Sequence, residues 1–389
     1  MYFLVVGEHY PTPKYPILGI FPADQARALH NAGYPVIYAA VDIRSYRRKR
    51  KFGITYEIKD GMEIYSISWP VGAIPRNIKL GLAGLAFERL YTRIVKDKGA
   101  APLLIHSHFI DSSVAVYKTA IKYKIPFFVT EHSSSLNKEE LNPQIAKDAS
   151  EVYSTATRLI TVSSALANRI KQHLGFDSIV IPNIVDLSIF HYQERQSISE
   201  NFNFVSTGHL AYGKGHDILL KAFKLHLKTY PTSRLIIFGA GEEQNNLEKL
   251  AQNLEINNIV DFRLLQPREI LAETYNKCEA FVLLSRGETF GASYIEAMAS
   301  GLPVIATRCG GPEDFVIPET GLLVAMDQVN EAATALTTLR DDFTNYDRQA
   351  IANYARQNFS ASAVANRVVE VYQEAIPDLE KKLGKQKSK

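Results

Sequence analysis

Short apolar runs alternate with segments of helical periodicity along the whole chain. In the first half, the runs that predict strands are YFLVV (2–6), PVIYAAV (35–41), PLLIHSH (102–108), PFFVTEH (126–132), RLITVS (158–163) and SIVIPN (178–183). In the second half they are FNFVST (202–207), RLIIFGA (234–240), IVDFRL (259–264), AFVLLS (280–285), PVIAT (303–307) and GLLVA (321–325). Helical stretches such as 23–32 and 112–122 lie between them. This alternation predicts right-handed βαβ units, parallel sheets and an α/β fold with two doubly wound domains of six strands each.

The polar stretch after Phe190, HYQERQSISEN, is the natural domain boundary. We therefore predict domains at 1–190 and 191–360, and a segment 361–389 that crosses back to the first domain and ends in a charged tail. In that segment Val364, Val368 and Tyr372 lie on one face of a predicted helix. Ligands bind beyond the carboxyl ends of parallel strands, so we expect the two domains to face each other across a cleft.

Composition is that of a globular protein, with 46% hydrophobic and 22% charged residues. Residues 1–190 carry 23 basic and 16 acidic side chains, whereas residues 191–389 carry 21 and 25, so the first half is expected to meet something anionic. Nucleic acid is not expected, because no Lys/Arg stripe with interleaved aromatics recurs. Two cysteines, no basic leader and no apolar run of about 18 residues predict a cytoplasmic protein.

Two basic features of the first half leave membrane association open. The run RSYRRKRK (44–51) has six basic residues in eight and is typical of a solvated loop. The segment 80–99 places five apolar residues on one helical face, which favours a helix packed on the core. They are Phe87, Leu90, Tyr91, Ile94 and Val95. The alternative is a helix drawn to an anionic membrane surface, which would make the protein peripheral at the inner face of the membrane.

The segment SRGETFGASYIEAMASGLPVIAT (285–307) carries two carboxylates that need an explanation. Ser293 followed by Glu296 has the spacing of a capping box, which would account for Glu296 alone. Small residues at 291–293 would let an anion approach the backbone N–H groups of a helix N-terminus. Glu288 is then better suited to the hydroxyls of a diol, because a carboxylate accepts two hydrogen bonds. An anion together with diols is the chemical outline of a sugar nucleotide.

A second candidate group lies in STGHLAYGKGHDILLKAF (206–223). Lys214 occupies a glycine-flanked loop after a strand, which suits either a diphosphate ligand or a solvated lysine. His209 is either a second phosphate donor or an ordinary loop histidine.

Together these motifs resemble the donor-binding half of the family 4 glycosyltransferases, which share the GT-B fold of two Rossmann-like domains facing across a cleft. The resemblance rests on GHLAYGKG, RLIIFGAGEE, SRGETFGASYIEAMASGLPVIATRCGG and GLLV in the second half. In the first half it rests on GIFPADQARAL, IHSH, PFFVTEHSS, TVSSALANRI and IPNIVD. The segments run in the family's order from about residue 3 to Tyr372.

The resemblance implies roles for individual donor-side residues. Glu288 would bind the hydroxyls of the donor sugar and Glu296 those of the ribose. Lys214 would bind the diphosphate, and the nucleobase would lie near Gln266. Backbone N–H groups would meet the sugar and diphosphate at Phe290, Gly291, Ala292 and Ser293.

For the first domain, the resemblance implies that Gly19 belongs to a loop closing over the phosphates and that His132 lines the reaction centre. His132, Lys214 and Glu288 are thus the expected catalytic residues. His209 departs from the family pattern, which has Arg at that position; imidazole lacks the bidentate positive fork of Arg.

The implied activity is retaining hexosyl transfer from a nucleotide diphosphate-sugar, with a UDP-sugar favoured. The acceptor would be a hydroxyl of a sugar, glycolipid or lipid-linked molecule in cell-surface polysaccharide or glycolipid synthesis, and neither a metal nor another cofactor is expected. Three alternatives stay open: a non-catalytic nucleotide-binding homologue that supports a partner transferase, a GT-B epimerase or phosphorylase, and a metal hydrolase using His106 and His108. A nicotinamide enzyme is disfavoured because GAGEEQ lacks the third glycine of the dinucleotide motif.

Overall fold

The computed structural model describes residues 1–12, 14–44, 51–194 and 201–384. They form two compact units, each built around its own parallel sheet. The first unit comprises Met1–Ile184 and the segment from Ala361 onward, and the second comprises Val185–Ser360.

The helices and strands follow one another in chain order. The first part of unit one contains β1 Phe3–Gly7, α1 Ile20–Asn31, β2 Val36–Arg44, β3 Gly53–Lys59, β4 Met62–Pro70, α2 Arg76–Lys98, β5 Leu104–His108, α3 Ile110–Tyr123, β6 Phe127–Glu131, α4 Pro143–Tyr153, β7 Arg158–Thr161, α5 Ser164–Leu174 and β8 Ile179–Val180. Unit two contains β9 Asn203–Thr207, α6 His216–His226, β10 Arg234–Phe238, α7 Gln244–Asn253, β11 Val260–Arg263, α8 Arg268–Lys277, β12 Ala280–Leu283, α9 Ala292–Ala299, β13 Val304–Thr307, β14 Gly321–Val324, α10 Val329–Asp341 and α11 Arg348–Phe359. The chain then adds α12 Ala361–Ala375 and α13 Leu379–Lys382 to unit one.

The sheet of unit one has the strand order β3-β4-β2-β1-β5-β6-β7-β8. Its central strands are parallel and buried, as the continuous apolar runs predict. Helix α12 contributes Val364, Val368 and Tyr372 to the core that also contains Phe3 and Phe128. Strand order reverses between β1 and β5, and this switch point is where doubly wound sheets place their ligands.

The prediction of six strands in the first domain is wrong, because β3 and β4 form an antiparallel hairpin at the edge of the sheet. Asp60 and Gly61 make the turn with φ of 51° and 78°, the conformation that a two-residue Asp-Gly hairpin needs. Most of β3 is exposed, so its sequence lacks the continuous apolar run of the central strands. Strand β4 pairs with β2 in parallel, which gives the sheet eight strands within the residues that the structure describes.

The sheet of unit two is entirely parallel, with the order β11-β10-β9-β12-β13-β14. This is the 3-2-1-4-5-6 order of nucleotide-binding folds, and its switch point lies between β9 and β12. Helices α6 and α10 pack against each other and contribute Leu219, Phe223 and Leu336 to the core.

The division between the units falls after Ile184, whereas the sequence predicted it after Phe190. The residues between these positions are tied to unit two. The backbone N–H of Val185 donates to the carbonyl of Phe359, and the buried Phe190 ring packs 5.9 Å from the ring of Tyr275.

Helix α2 uses its predicted apolar face to pack within unit one. Phe87, Leu90, Tyr91 and Ile94 are at most 3% exposed, and the helix packs on α3. The core-facing interpretation is therefore correct, and this face does not remain for a lipid surface. The basic run 44–51 lies almost entirely outside the described residues. Within the described ranges, no helix has both the length and the apolar character required to cross a bilayer.

Candidate active site

The switch point of unit two brings Lys214 and Glu288 into contact. Lys214 follows β9 in a short 3-10 turn, Tyr212–Lys214, and Glu288 lies in the loop after β12. The Lys214 Nζ donates to Glu288 Oε1 at 2.6 Å, and the Ser285 hydroxyl donates to the same oxygen at 2.8 Å. Two residues that the sequence assigned separately to diphosphate and sugar thus form one ion pair.

The close approach of these two loops requires glycine at position 215. Gly215 has φ of 66°, and a Cβ there would lie 1.8 Å from the carbonyl oxygen of Leu284. A side chain would therefore push the Lys214 turn away from β12. The glycine that follows Lys214 in the sequence is explained by this packing rather than by loop flexibility.

Arg286 fastens the Lys214 turn to the loop that carries Glu288. Its backbone N–H donates to the carbonyl of Gly213 at 2.8 Å, and its guanidinium donates to the carbonyl of Tyr212 and lies 3.8 Å from the centre of that ring. The guanidinium also donates to both carboxylate oxygens of Asp217 at 2.9 and 3.0 Å and to Asp327 at 2.7 Å. Arg286 is not among the residues predicted from the sequence. An arginine two positions before the first glutamate of the motif was the available signal.

The loop after Glu288 leads into the N-terminus of α9. Glu288 pairs in parallel with Gly310, and the N–H of Gly311 donates to the Glu288 carbonyl at 3.0 Å. Helix α9 begins at Ala292, with Gly291 as its N-cap at φ of 103° and no side-chain cap. The first N–H groups of a helix have no intrahelical partner, so this end is suited to an anion.

The capping-box interpretation of Ser293 and Glu296 is wrong, because the helix begins before Ser293. The Glu296 carboxylate instead accepts a hydrogen bond from Arg268 at 2.9 Å. Arg268 in turn lies over the ring of Phe190, 5.1 Å from its centre. Glu296 is therefore held as one half of an ion pair at the carboxyl edge of the sheet.

The other residues predicted on the donor side include His209, Gln266 and Phe290. His209 has a 61% exposed side chain, and its Nδ1 lies 3.8 Å from a carboxylate oxygen of Glu242. Gln266 is partly exposed after β11. The Phe290 ring is buried against Phe315 and Phe359, so only its backbone can face a ligand.

In unit one, the His132 ring belongs to a column of stacked rings at the switch point. Its ring packs on His108 at 5.3 Å, Phe109 at 4.6 Å and Phe21 at 5.5 Å, and its Nε2 lies 3.0 Å from His108 Nδ1. Desolvation lowers the pKa of His132 to about 3, although a hydrogen bond with Asn183 acts in the opposite direction. The ring is thus a neutral hydrogen-bonding group at neutral pH.

His106 continues the column, 4.7 Å from His108. The amide nitrogen of Gln25 lies 2.9 Å and the hydroxyl of Tyr372 2.5 Å from its Nδ1, while its Nε2 lies 2.7 Å from the hydroxyl of Thr130. An amide nitrogen only donates, so Nδ1 accepts and Nε2 carries the proton. Both ring nitrogens are therefore engaged, and the described residues contain no group of three or more His, Cys, Asp or Glu placed to hold a metal ion. The metal-hydrolase alternative therefore has no ligand set of this kind in the described part of the chain.

Gly19 lies beside this column, at the N-cap of α1 with φ of 76°. A Cβ at Gly19 would lie 2.1 Å from the carbonyl oxygen of His9, so glycine lets the loop pass close to the end of β1. Phe21, in the first turn of the same helix, stacks on His132. Gly19 and Phe21 both line a cavity of about 450 Å³, together with Glu8, Arg76, Phe109 and Asp111.

In comparison with known proteins, two glycosyltransferase family models match consecutive segments of the chain. Residues 20–189 match the family model described as Glycosyltransferase Family 4, and residues 190–358 match the model described as Glycosyl transferases group 1. The chain is 29% identical over 335 residues to the D-inositol 3-phosphate glycosyltransferase of Pseudarthrobacter chlorophenolicus, covering 80% of each protein.

Solved structures with the same fold include the sucrose-phosphate synthase of Thermosynechococcus elongatus, with a TM-score of 0.76 and 20% identity over 96% of this chain and 98% of that one. The HepE protein of Anabaena, solved in complex with UDP and glucose, gives a TM-score of 0.73 and 19% identity over 96% of this chain and 100% of that one.

Proposed function

This chain belongs to the family 4 glycosyltransferases with the GT-B fold, and we propose that it transfers a hexose from a UDP-sugar to a hydroxyl acceptor with retention of anomeric configuration. The observation that carries the proposal is the contact between Lys214 and Glu288 beside the uncapped N-terminus of α9. A cation, a helix N-terminus and a carboxylate at one switch point match the diphosphate and hydroxyls of a sugar nucleotide. The complex of HepE with UDP and glucose supports uridine as the base.

In the proposed reaction, the acceptor hydroxyl oxygen forms a bond to the anomeric carbon while the bond from that carbon to the diphosphate oxygen breaks. The acceptor proton passes to the leaving diphosphate on the same face. Lys214 and the N–H groups at Gly291–Ser293 stabilise the negative charge that develops on the diphosphate. Glu288 and Glu296 orient the sugar and ribose hydroxyls, and the neutral His132 positions the sugar by hydrogen bonding. We propose that no metal ion takes part, which predicts turnover unaffected by a chelator.

The setting we propose for the enzyme is cell-surface polysaccharide or glycolipid synthesis, with an acceptor that is a free sugar, a glycolipid or a lipid-linked sugar. This rests on the family assignment together with the basic character of the first half of the chain.

Replacement of Glu288 by alanine tests the proposal. We expect Glu288→Ala to lower turnover on the order of 100-fold without lowering UDP affinity or disturbing the fold, because the carboxylate is assigned to the sugar and its loss leaves Lys214 free for the diphosphate. Turnover is measured as UDP release and labelled product, and UDP affinity by calorimetry. Glu319→Ala, at an exposed position of the same unit, is the control. Wild-type turnover by Glu288→Ala would contradict the site assignment.

A non-catalytic homologue is the second candidate, because His209 is exposed where the family has an arginine beside the diphosphate. It predicts UDP binding without consumption of any UDP-sugar, by transfer or by hydrolysis. Restoring His209→Arg would then raise nucleotide affinity without creating turnover. Any measured turnover by the wild type rules this candidate out.

A further inference from the structure

The cavity of about 450 Å³ in unit one lies at the switch point between β1 and β5. Its volume falls within the range of small-molecule sites, roughly 300 to 1,000 Å³. We call it the switch-point pocket and define it by Glu8, Gly19, Phe21, Arg76, Phe109 and Asp111. Its position next to His132 makes it the place for the acceptor in the reaction proposed above.

The positive charges at the switch-point pocket are already engaged by carboxylates. Arg76 donates through Nε and Nη2 to Asp111, at 3.1 and 2.6 Å, and through Nη1 to Asp148. All three guanidinium nitrogens therefore have a carboxylate partner. Lys79, one turn along α2 and not itself part of the lining, lies 3.7 Å from Glu8, which is.

These ion pairs make the pocket a poor site for a phosphate group. An anion would have to displace Asp111 and Asp148 from Arg76, and it would enter a cavity whose wall also carries Glu8. Like charges at close range raise the free energy of binding. The same carboxylates can accept hydrogen bonds from neutral hydroxyl groups without giving up their cations, because each has two oxygens and several lone pairs.

Apart from His9, Ser133 and Ser135, the other walls of the pocket are apolar and aromatic. Phe21 and Phe109 both stack on His132, at 5.5 and 4.6 Å, which fixes their rings at the edge of the cavity. Phe109 is held at φ of 66°, a backbone conformation that a non-glycine residue adopts only when its surroundings impose it. Rigid aromatic rings beside hydroxyl acceptors are suited to a ligand with a C–H face and a hydroxyl edge, which is the surface of a saccharide ring.

We propose that the switch-point pocket binds a neutral, unphosphorylated saccharide as the acceptor and discriminates against sugar phosphates. This deepens the proposed transferase function and rests on it for the role of acceptor, but the binding preference can be measured without turnover.

The first experiment compares matched ligands on the wild-type protein. Saturation-transfer NMR and calorimetry are run with methyl hexosides and short neutral oligosaccharides, each beside its own monophosphate, in the presence of UDP. We expect at least one neutral saccharide to bind at least tenfold more tightly than its phosphate, and Phe21→Ala to weaken that binding. Tighter binding of the phosphates, or no binding by any neutral saccharide, overturns the proposal.

The second experiment reverses the preference by freeing Arg76. In the double variant Asp111→Asn, Asp148→Asn, the guanidinium keeps its charge and loses both counter-charges. We expect the affinity for the monophosphates to rise about tenfold relative to the neutral ligands. Glu8→Gln, which frees Lys79, is expected to act in the same direction and serves where the double variant does not fold. Asp177→Asn is the control, since Asp177 pairs with Lys171 at an exposed site of the same unit. An unchanged ratio in both Asp111→Asn, Asp148→Asn and Glu8→Gln overturns the proposal.

The two proposals fail in different ways. If UDP-sugar is never consumed but neutral saccharides bind as expected, the transferase function fails and the pocket assignment stands. If UDP-sugar is consumed and sugar phosphates are the better acceptors, the transferase function stands and the pocket assignment fails.

Discussion

The two switch points of this molecule share a topology and differ in chemistry. In unit two, the loops after β9 and β12 bring together a lysine and a glutamate that are 74 positions apart in the sequence. In unit one, the strand ends bring together stacked rings of histidine and phenylalanine. The sheet order thus decides where a site forms, and the side chains at the strand ends decide what it can do.

The difference is also one of charge. Lys214 and Glu288 keep opposite charges in contact at the edge of unit two. In unit one, burial lowers the pKa of His106 and of His132 to about 3 each and lowers the pKa of His108 as well, so the stack is neutral near pH 7. A charged site beside a helix N-terminus suits a diphosphate, whereas a neutral aromatic site suits a carbohydrate surface.

Acidification should give the largest difference between the two units, because it should destabilise unit one more than unit two. A histidine whose pKa is lower in the folded state stabilises the fold above its unfolded pKa, near 6.5, and that stability is lost as pH falls towards about 3. Each such histidine weakens the unit by up to about 1.4 kcal/mol per pH unit in this window. Unit one has three, against His216 and His226 in unit two, whose pKa burial lowers to about 4 in each case. The buried Glu131, whose pKa is raised by burial, opposes the effect with a single group.

We therefore expect unit one to lose protection before unit two between pH 7 and pH 5. Amide hydrogen exchange, read peptide by peptide in each unit, measures this directly, and His173→Gln in the last turn of α5 is the control. Equal loss in both units, or greater protection of unit one at pH 5, would show that the stack does not set the acid stability.

Loss of the charge at Lys214 tests the charged switch point. We expect Lys214→Met to lower kcat on the order of 100-fold, equivalent to about 2.7 kcal/mol of transition-state stabilisation, because the developing charge on the diphosphate loses its cation. Lys224→Met, on the exposed side of α6 and paired loosely with Glu255, is the matched control. If Lys214→Met and Lys224→Met turn over equally fast, Lys214 has no role in the reaction.

The conservative change Arg286→Lys should have the smallest of the three effects. Lysine keeps the charge but cannot donate two parallel hydrogen bonds to Asp217 or lie flat on Tyr212. We expect kcat/KM to fall about tenfold, mainly through KM, because the Lys214 turn is held less firmly against the Glu288 loop. Arg263→Lys is the control, since Arg263 also combines a carboxylate partner with an aromatic ring. An unchanged KM would refute this positioning role.

The sequence was most informative where the chain is buried on both sides. Strands such as β1 and β12 are continuous apolar runs because parallel sheets are covered on both faces, so pattern alone identifies them. The edge strand β3 was not predicted, because most of its side chains are exposed and its apolar residues do not form a run. The Asp60-Gly61 pair was the better indicator of that hairpin.

For the candidate site, the sequence predicted residues that the structure brings together, but not the partners that each of them contacts. Lys214 and Glu288 follow predicted strands, and the topology alone brings such ends together. Their contact, the clamp by Arg286 and the pairing of Glu296 with Arg268 join residues far apart in the chain, for which local pattern holds no information. The assignment of Ser293 and Glu296 to a capping box was wrong for a local reason. The N-cap of α9 is Gly291 and the helix begins at Ala292, so Ser293 lies inside the first turn and is not the N-cap.

The placement of Tyr372 has a consequence for how the protein is made. Its hydroxyl contacts His106, and its helix supplies Val364 and Val368 to the core of unit one. During synthesis, the ribosome therefore delivers all of unit two before unit one receives its last core residues. Domains generally fold as units as they emerge from the ribosome. The second unit can therefore complete its fold while the first still lacks the core residues that α12 supplies. A ribosome that stalls before residue 372 would leave a nascent chain in which the later unit is finished and the earlier one is not.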